Sequence, residues 1–160
     1  MTEAIAPSHS DSHSLVKGLL AGLIGGLVGS AAKTLAESIY PPRVEGQQPP
    51  PVVLAEKVAG HSLTTGQKHV ATQGIHWSFG PIIGAAYGAL AEYAPVVTDR
   101  HGVTFGMALC SVTHEGVLPA LGLNSPLENQ PLREQSSEMI SHSVYGLVTE
   151  SVRKHVRKLL

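Results

Sequence analysis

Ionisable side chains recur inside stretches of this chain that are otherwise apolar: Lys33 and Glu37, then His76, then His114 and Glu115, then Glu138, His142 and Glu150. In hydrocarbon such groups are costly, so those that are present usually turn inward and pair with one another. Lys33 and Glu37 stand four residues apart, which puts them on one helix face as an ion pair. Glu138 and His142 have the same spacing, and their carboxylate and imidazole are within reach of one another for proton exchange. Three chemistries fit His76, His114, Glu115, Glu138, His142 and Glu150. One is a path or sensor for protons or ions, with pH response or acid tolerance as the outcome. Another is plain hydrogen bonding between helices. The third is a metal held by His76, His114, His142 and Glu138, since imidazoles with a carboxylate suit zinc, iron or copper.

Other chemistry is missing from the sequence. It has no nucleophile elbow, phosphate loop or dinucleotide fingerprint, so neither an enzyme nor a cofactor is expected. Its single cysteine, Cys110, rules out an internal disulfide and a CxxC motif. The net charge of −1 and the lack of a basic run argue against nucleic acid as a partner.

Charged residues make up 14% of the 160, well below the roughly 25% of a soluble domain, which favours a membrane setting. A mean hydropathy of only +0.10 reflects dilution by polar segments. Residues 1–14 read as a disordered polar tail, and the acids Glu3 and Asp11 oppose a cleaved signal peptide there. The remainder, 15–160, reads as one all-α transmembrane domain of about four spans, at 15–39, 70–91, 102–123 and 138–156. A Pro-rich loop over 41–69 separates the first two, with a short helix expected over 52–59, and Pro119 is expected to kink the third. The fourth has the weakest apolar run and could instead lie on the membrane surface.

Glycine at every fourth residue lets membrane helices approach closely. Gly18, Gly22 and Gly26 form one such ridge, Gly25 and Gly29 another, Gly80, Gly84 and Gly88 a third, and Gly102 with Gly106 a fourth. These ridges predict tight helix pairs, either within the chain or in a homo-oligomer. The Lys and Arg count near span ends, led by Arg153, Lys154, Arg157 and Lys158, predicts that both termini are cytoplasmic.

Several short motifs occur in a telling order: Lys33-x-x-x-Glu37 before Pro41-Pro42-Arg43, His76, Ala91-Glu92 with Pro95, and His114. Pro119-x-x-Gly122-Leu123, Ser137-Glu138-x-x-x-His142 and Glu150 with Val152-Arg153 follow. In these the chain resembles the YagU-like family of bacterial inner-membrane proteins, whose biochemical function is unknown. The resemblance implies a multi-span protein of a Gram-negative inner membrane and supplies no activity. Two roles are then expected: proton or ion handling through the buried His and Glu residues, or service as a structural or accessory subunit of a larger membrane complex.

Overall fold

The structure, a computed structural model, describes residues 13–43 and 47–160; the polar tail expected over 1–14 falls almost wholly outside the described residues. Among those described, all regular structure is helical. Helix α1 runs Leu15–Ile39, α2 Pro50–Ala59, α3 Thr65–Tyr93, α4 Val103–Cys110, α5 Leu118–Ala120 and α6 Leu132–Leu159.

Local sequence accounts for most of the ends. The Ser14 hydroxyl accepts from the Lys17 N–H at the start of α1, and Thr64 with Gln67 forms a reciprocal capping box at the start of α3. Gly60 ends α2 in the left-handed region at φ 74°, where a Cβ would be strained. The Pro-rich loop holds the short helix expected in it, as α2, and ends earlier than expected because α3 begins at Thr65. Ahead of α4, Arg100, His101 and Gly102 take successive positive φ values of 48°, 57° and 83°. Two non-glycine residues there are held in a sparsely populated conformation by the packing of the elements they join.

At Pro119 a simple kink was expected, and a widened helix is found instead. Ser111–Val117 is π-helical, with the Leu118 N–H bonded to the Thr113 carbonyl. Proline has no N–H to donate and crowds the carbonyl four residues back, so wider turns ahead of it absorb the mismatch.

Glycines bring the long helices together inside one chain. A Cβ on Gly18 would lie 2.7 Å from the Gly88 carbonyl oxygen, and one on Gly26 would lie 2.9 Å from the Gly84 Cα. The α1 and α3 ridges therefore face each other and run antiparallel. On another side of α1, Gly25 and Gly29 abut Thr149 and Tyr145 of α6, and Gly102 and Gly106 abut Gly146 and His142. The pairings run up, down, up, down through α1, α3, α4 and α6.

Only one described helix, Leu15–Ile39, is long and apolar enough by composition to cross a membrane. The expectation of four spans is therefore not carried by hydropathy. Helix α6 shows the reason. Its buried stripe is Glu134, Ser137, Glu138, Ser141, His142, Tyr145, Thr149, Glu150 and Arg153, whereas Ile140 and Leu147 are exposed. A hydropathy sum adds the two faces together and so fails to register that the polar face is turned inward.

Candidate functional site

One cavity of about 400 Å³ lies between the later half of α1, the earlier halves of α3 and α6, the π-helical turn and α2. Lys33, Glu37, Arg43, His76, His114, Glu138 and His142 all line it. The start of α1 and the end of α6 are at the other end of the bundle, where Lys17 Nζ donates to the Leu160 carbonyl oxygen at 2.6 Å.

Glu138 is the centre of the cluster, with a side chain only 4% exposed. Its Oε2 lies 3.2 Å from Lys33 Nζ, 3.4 Å from His114 Nε2 and 3.6 Å from His142 Nδ1, while Arg43 Nη1 lies 3.5 Å from Oε1. Lys33 also pairs with Glu37 and donates to the Ser141 hydroxyl at 2.8 Å. The single carboxylate is thus shared by two cations and two imidazoles brought from α1, the loop after it, the π-helical turn and its own helix. Its charge is answered several times over, as a buried carboxylate requires.

The imidazoles are held differently. His142 Nδ1 lies 2.8 Å from the Glu138 main-chain carbonyl, so that nitrogen carries the proton and donates it there, leaving Nε2 with the lone pair. The His114 and His142 rings meet edge to face with centroids 4.9 Å apart. His76 lines the same cavity by another route. The Thr34 hydroxyl gives its proton to the Ser30 carbonyl, so the His76 Nε2–H donates to Thr34 Oγ1 at 2.9 Å. Glu115, next to His114, is half-buried and does not line the cavity.

Glu150 belongs to a separate centre. It is 0% exposed, accepts from the Tyr87 hydroxyl at 2.8 Å and takes two hydrogen bonds from Arg153, at 2.6 and 2.9 Å. Tyr87 stacks on Phe105 with centroids 4.1 Å apart. With every oxygen of the carboxylate engaged, this centre has the form of a structural ion pair.

Ligand atoms of His114, Glu138 and His142 all lie within 4.8 Å of one another, a spacing that a metal could draw together. The Lys33 ammonium beside the Glu138 oxygen that a cation would need opposes a metal here, whereas His142, its Nδ1–H bonded to a main-chain carbonyl, keeps Nε2 free in the manner of a ligating imidazole. His76, joined to Thr34, stands outside this trio. The cluster thus sets one buried carboxylate beside two imidazoles and an ammonium, the residue types used in proton transfer.

Several members escape sequence reasoning. Arg43 reads as a loop charge and Ser141 as a small polar filler, yet both enter the cluster; the Pro-Pro-Arg motif is the only local hint of Arg43. Gly146, a lone glycine with no partner at the fourth residue, receives both Gly102 and Gly106. His13, His61, His69, His101 and His155 are exposed, as their loop and end positions suggest, while His9 lies outside the described residues.

A family model described as protein of unknown function (DUF1440) matches residues 27–151. The chain belongs to this family. No curated protein and no solved structure matches the chain. The matched stretch starts midway along α1 and ends within α6, so it holds every residue of the Glu138 cluster and also Glu150. Arg157, at the end of α6, falls beyond it.

Proposed function

We propose that this chain is a multi-pass helical protein of a bacterial inner membrane that handles protons or small ions through the cluster around Glu138. The observation that carries the reading is the Glu138 carboxylate itself, shared by Lys33, His114 and His142 in the wall of the cavity. A buried carboxylate in contact with two imidazoles and an ammonium offers neighbouring groups between which a proton can pass, which is what a relay needs.

The membrane setting has its own support. Among the described residues six hydrophobic side chains are buried against eleven polar or charged ones, so the interior is the more polar part. The outside carries Leu19, Leu23 and Leu27 on α1, Ile82 and Leu90 on α3, and Met107 and Val112 toward the third segment. Water would penalise that distribution and a bilayer would reward it. The resemblance to YagU-like proteins agrees with this setting. The Lys17 to Leu160 contact puts both ends of the helical region at one end of the bundle, in keeping with two cytoplasmic termini. Reporter fusions at residue 50 and at Leu160 should then mark opposite compartments, and a shared compartment would sink the four-span topology.

Function is tested with purified protein in sealed vesicles that enclose a pH-sensitive dye. Under an imposed pH gradient the wild-type protein should pass protons, and Glu138→Gln should lower the flux by about tenfold or more, as loss of a required acid-base group does. An unchanged flux in Glu138→Gln would remove the cluster from any such role.

A further inference from the structure

His114 comes from the π-helical turn and Glu138 and His142 from α6, yet one ligand atom of each lies within 4.8 Å of the other two. Two atoms bound to one tetrahedral zinc at about 2.0–2.2 Å stand about 3.4 Å apart. Glu138 Oε2 and His114 Nε2 already have that separation, at 3.4 Å. His142 is prepared in another way. Its Nδ1–H donates to the Glu138 main-chain carbonyl at 2.8 Å, which fixes the ring and leaves the lone pair on Nε2, the support that a ligating imidazole ordinarily has behind it. Two imidazoles and one carboxylate are a donor set that zinc takes when its fourth position stays open. Here that position would face the partly open cavity that all three residues line.

The charges around the trio also favour a cation. Three carboxylates, Glu37, Glu134 and Glu138, stand against two cations, Lys33 and Arg43, which leaves one negative charge in excess when the imidazoles are neutral. Lys33 is the competitor, with Nζ 3.2 Å from the Glu138 oxygen. It has other partners within reach, since it pairs with Glu37 and donates to the Ser141 hydroxyl at 2.8 Å. An arriving divalent ion can therefore take Glu138 while Lys33 keeps Glu37 and Ser141. Nδ1 of His114, buried and without a hydrogen-bond partner, then carries the ring proton, and a metal bond outweighs one unpaired N–H.

We infer that His114, Glu138 and His142 bind a divalent transition-metal ion of the zinc class, which takes the place of the Lys33 ammonium on the Glu138 carboxylate. The inference deepens the reading above by naming an ion for the Glu138 cluster, and it rests on that reading for the membrane setting and for any passage of the ion.

Equilibrium dialysis of the metal-stripped full chain in lipid nanodiscs against zinc tests it, with empty nanodiscs as the blank and magnesium as the comparison ion. Zinc should saturate at one ion per chain, and about a hundredfold excess of magnesium should not displace it, since magnesium prefers an all-oxygen shell. His142→Ala and Glu138→Gln should each weaken zinc by about a hundredfold, and Lys33→Met should tighten it by about tenfold by removing the competing charge. His69→Ala, on the exposed surface, should change nothing. Zinc-edge X-ray absorption of the unaltered chain should show two imidazoles bound to the ion, and it decides the matter should the ligand variants fail to fold. Absence of saturable zinc, an edge spectrum without imidazole, undiminished binding in both ligand variants, or displacement by magnesium would each overturn the inference. So would a folded Lys33→Met chain that binds zinc no more tightly, because no exchange at Glu138 would then take place. Glu138-dependent proton flux without zinc binding would overturn it while sparing the proposed function, and zinc binding without such flux would do the reverse.

Discussion

Glu92 and Arg157, 65 residues apart in sequence, meet through two parallel hydrogen bonds, Arg157 Nε to Oε1 at 2.6 Å and Nη2 to Oε2 at 3.0 Å. The same carboxylate accepts from the Ser14 main-chain N–H at 3.0 Å. One acid at the end of α3 therefore ties together the start of α1 and the last turns of α6. Planar guanidinium and carboxylate groups match in this fork geometry, which is the strongest form of ion pair.

Removing one partner strands the other. Arg157→Met should destabilise the protein by about 2 kcal/mol, less than the 3–5 kcal/mol of a fully buried pair because Arg157 is 20% exposed. Glu92→Gln combined with Arg157→Met should cost less than the sum of the two single changes. Thermal unfolding in detergent measures both, and strict additivity would show that the pair is not coupled.

Two glycines of α3 should respond in opposite directions to the same added methyl. A Cβ on Gly84 would press on the Gly22 and Gly26 main chains, so Gly84→Ala should cost about 1–3 kcal/mol by forcing α1 and α3 apart. Around a Cβ on Gly74 nothing lies within 4 Å, and Gly74→Ala should stabilise the helix by up to about 1 kcal/mol. Equal melting temperatures for the two variants would contradict this account of the packing.

Tyr87 offers a cleaner probe of the Glu150 centre than the charges do. Tyr87→Phe keeps the stacking on Phe105 and removes one hydrogen bond to a buried carboxylate, for an expected loss of about 1.5–3 kcal/mol. Proton flux in vesicles should stay unchanged, since the proposed path runs through Glu138. A large fall in flux would extend the path to Glu150.

At the surface, Glu56 links α2 to the start of α3. Its carboxyl is held below the ordinary 4.5 by the hydrogen bond from the Leu63 N–H, then by Lys68. A carboxyl lowered in the folded state lends its support above the unfolded value and loses it as pH falls through the folded value. The Leu63 amide signal should therefore hold its neutral-pH position to below 4.5 and shift only at lower pH. Lys68→Met should move that shift upward, and a transition at or above 4.5 in the unaltered chain would argue against the contact.

How far the residues alone could be read follows from the range of each interaction. The bounds of α1 were legible because a single helix shows its own apolar run and its own Ser14 cap. The glycine ridges were legible as ridges because a period of four is local, and so was the Lys33 to Glu37 pair. None of these patterns names its partner. Whether Gly84 meets Gly22 or a second copy, and whether Glu138 collects His114, Lys33 and Arg43, depends on which faces close on one another across about 100 residues of chain. The extension of α6 to 28 residues was hidden for a related reason, since its polar stripe looks like a broken span until α1 and α4 cover it. Composition and spacing thus determined that this chain is helical, rich in small-residue contacts and burdened with ionisable groups to pair. The tertiary structure alone decided that Lys33, Arg43, His114 and His142 meet on the single carboxylate of Glu138, because charge pairing in a bundle acts between elements and leaves no local trace.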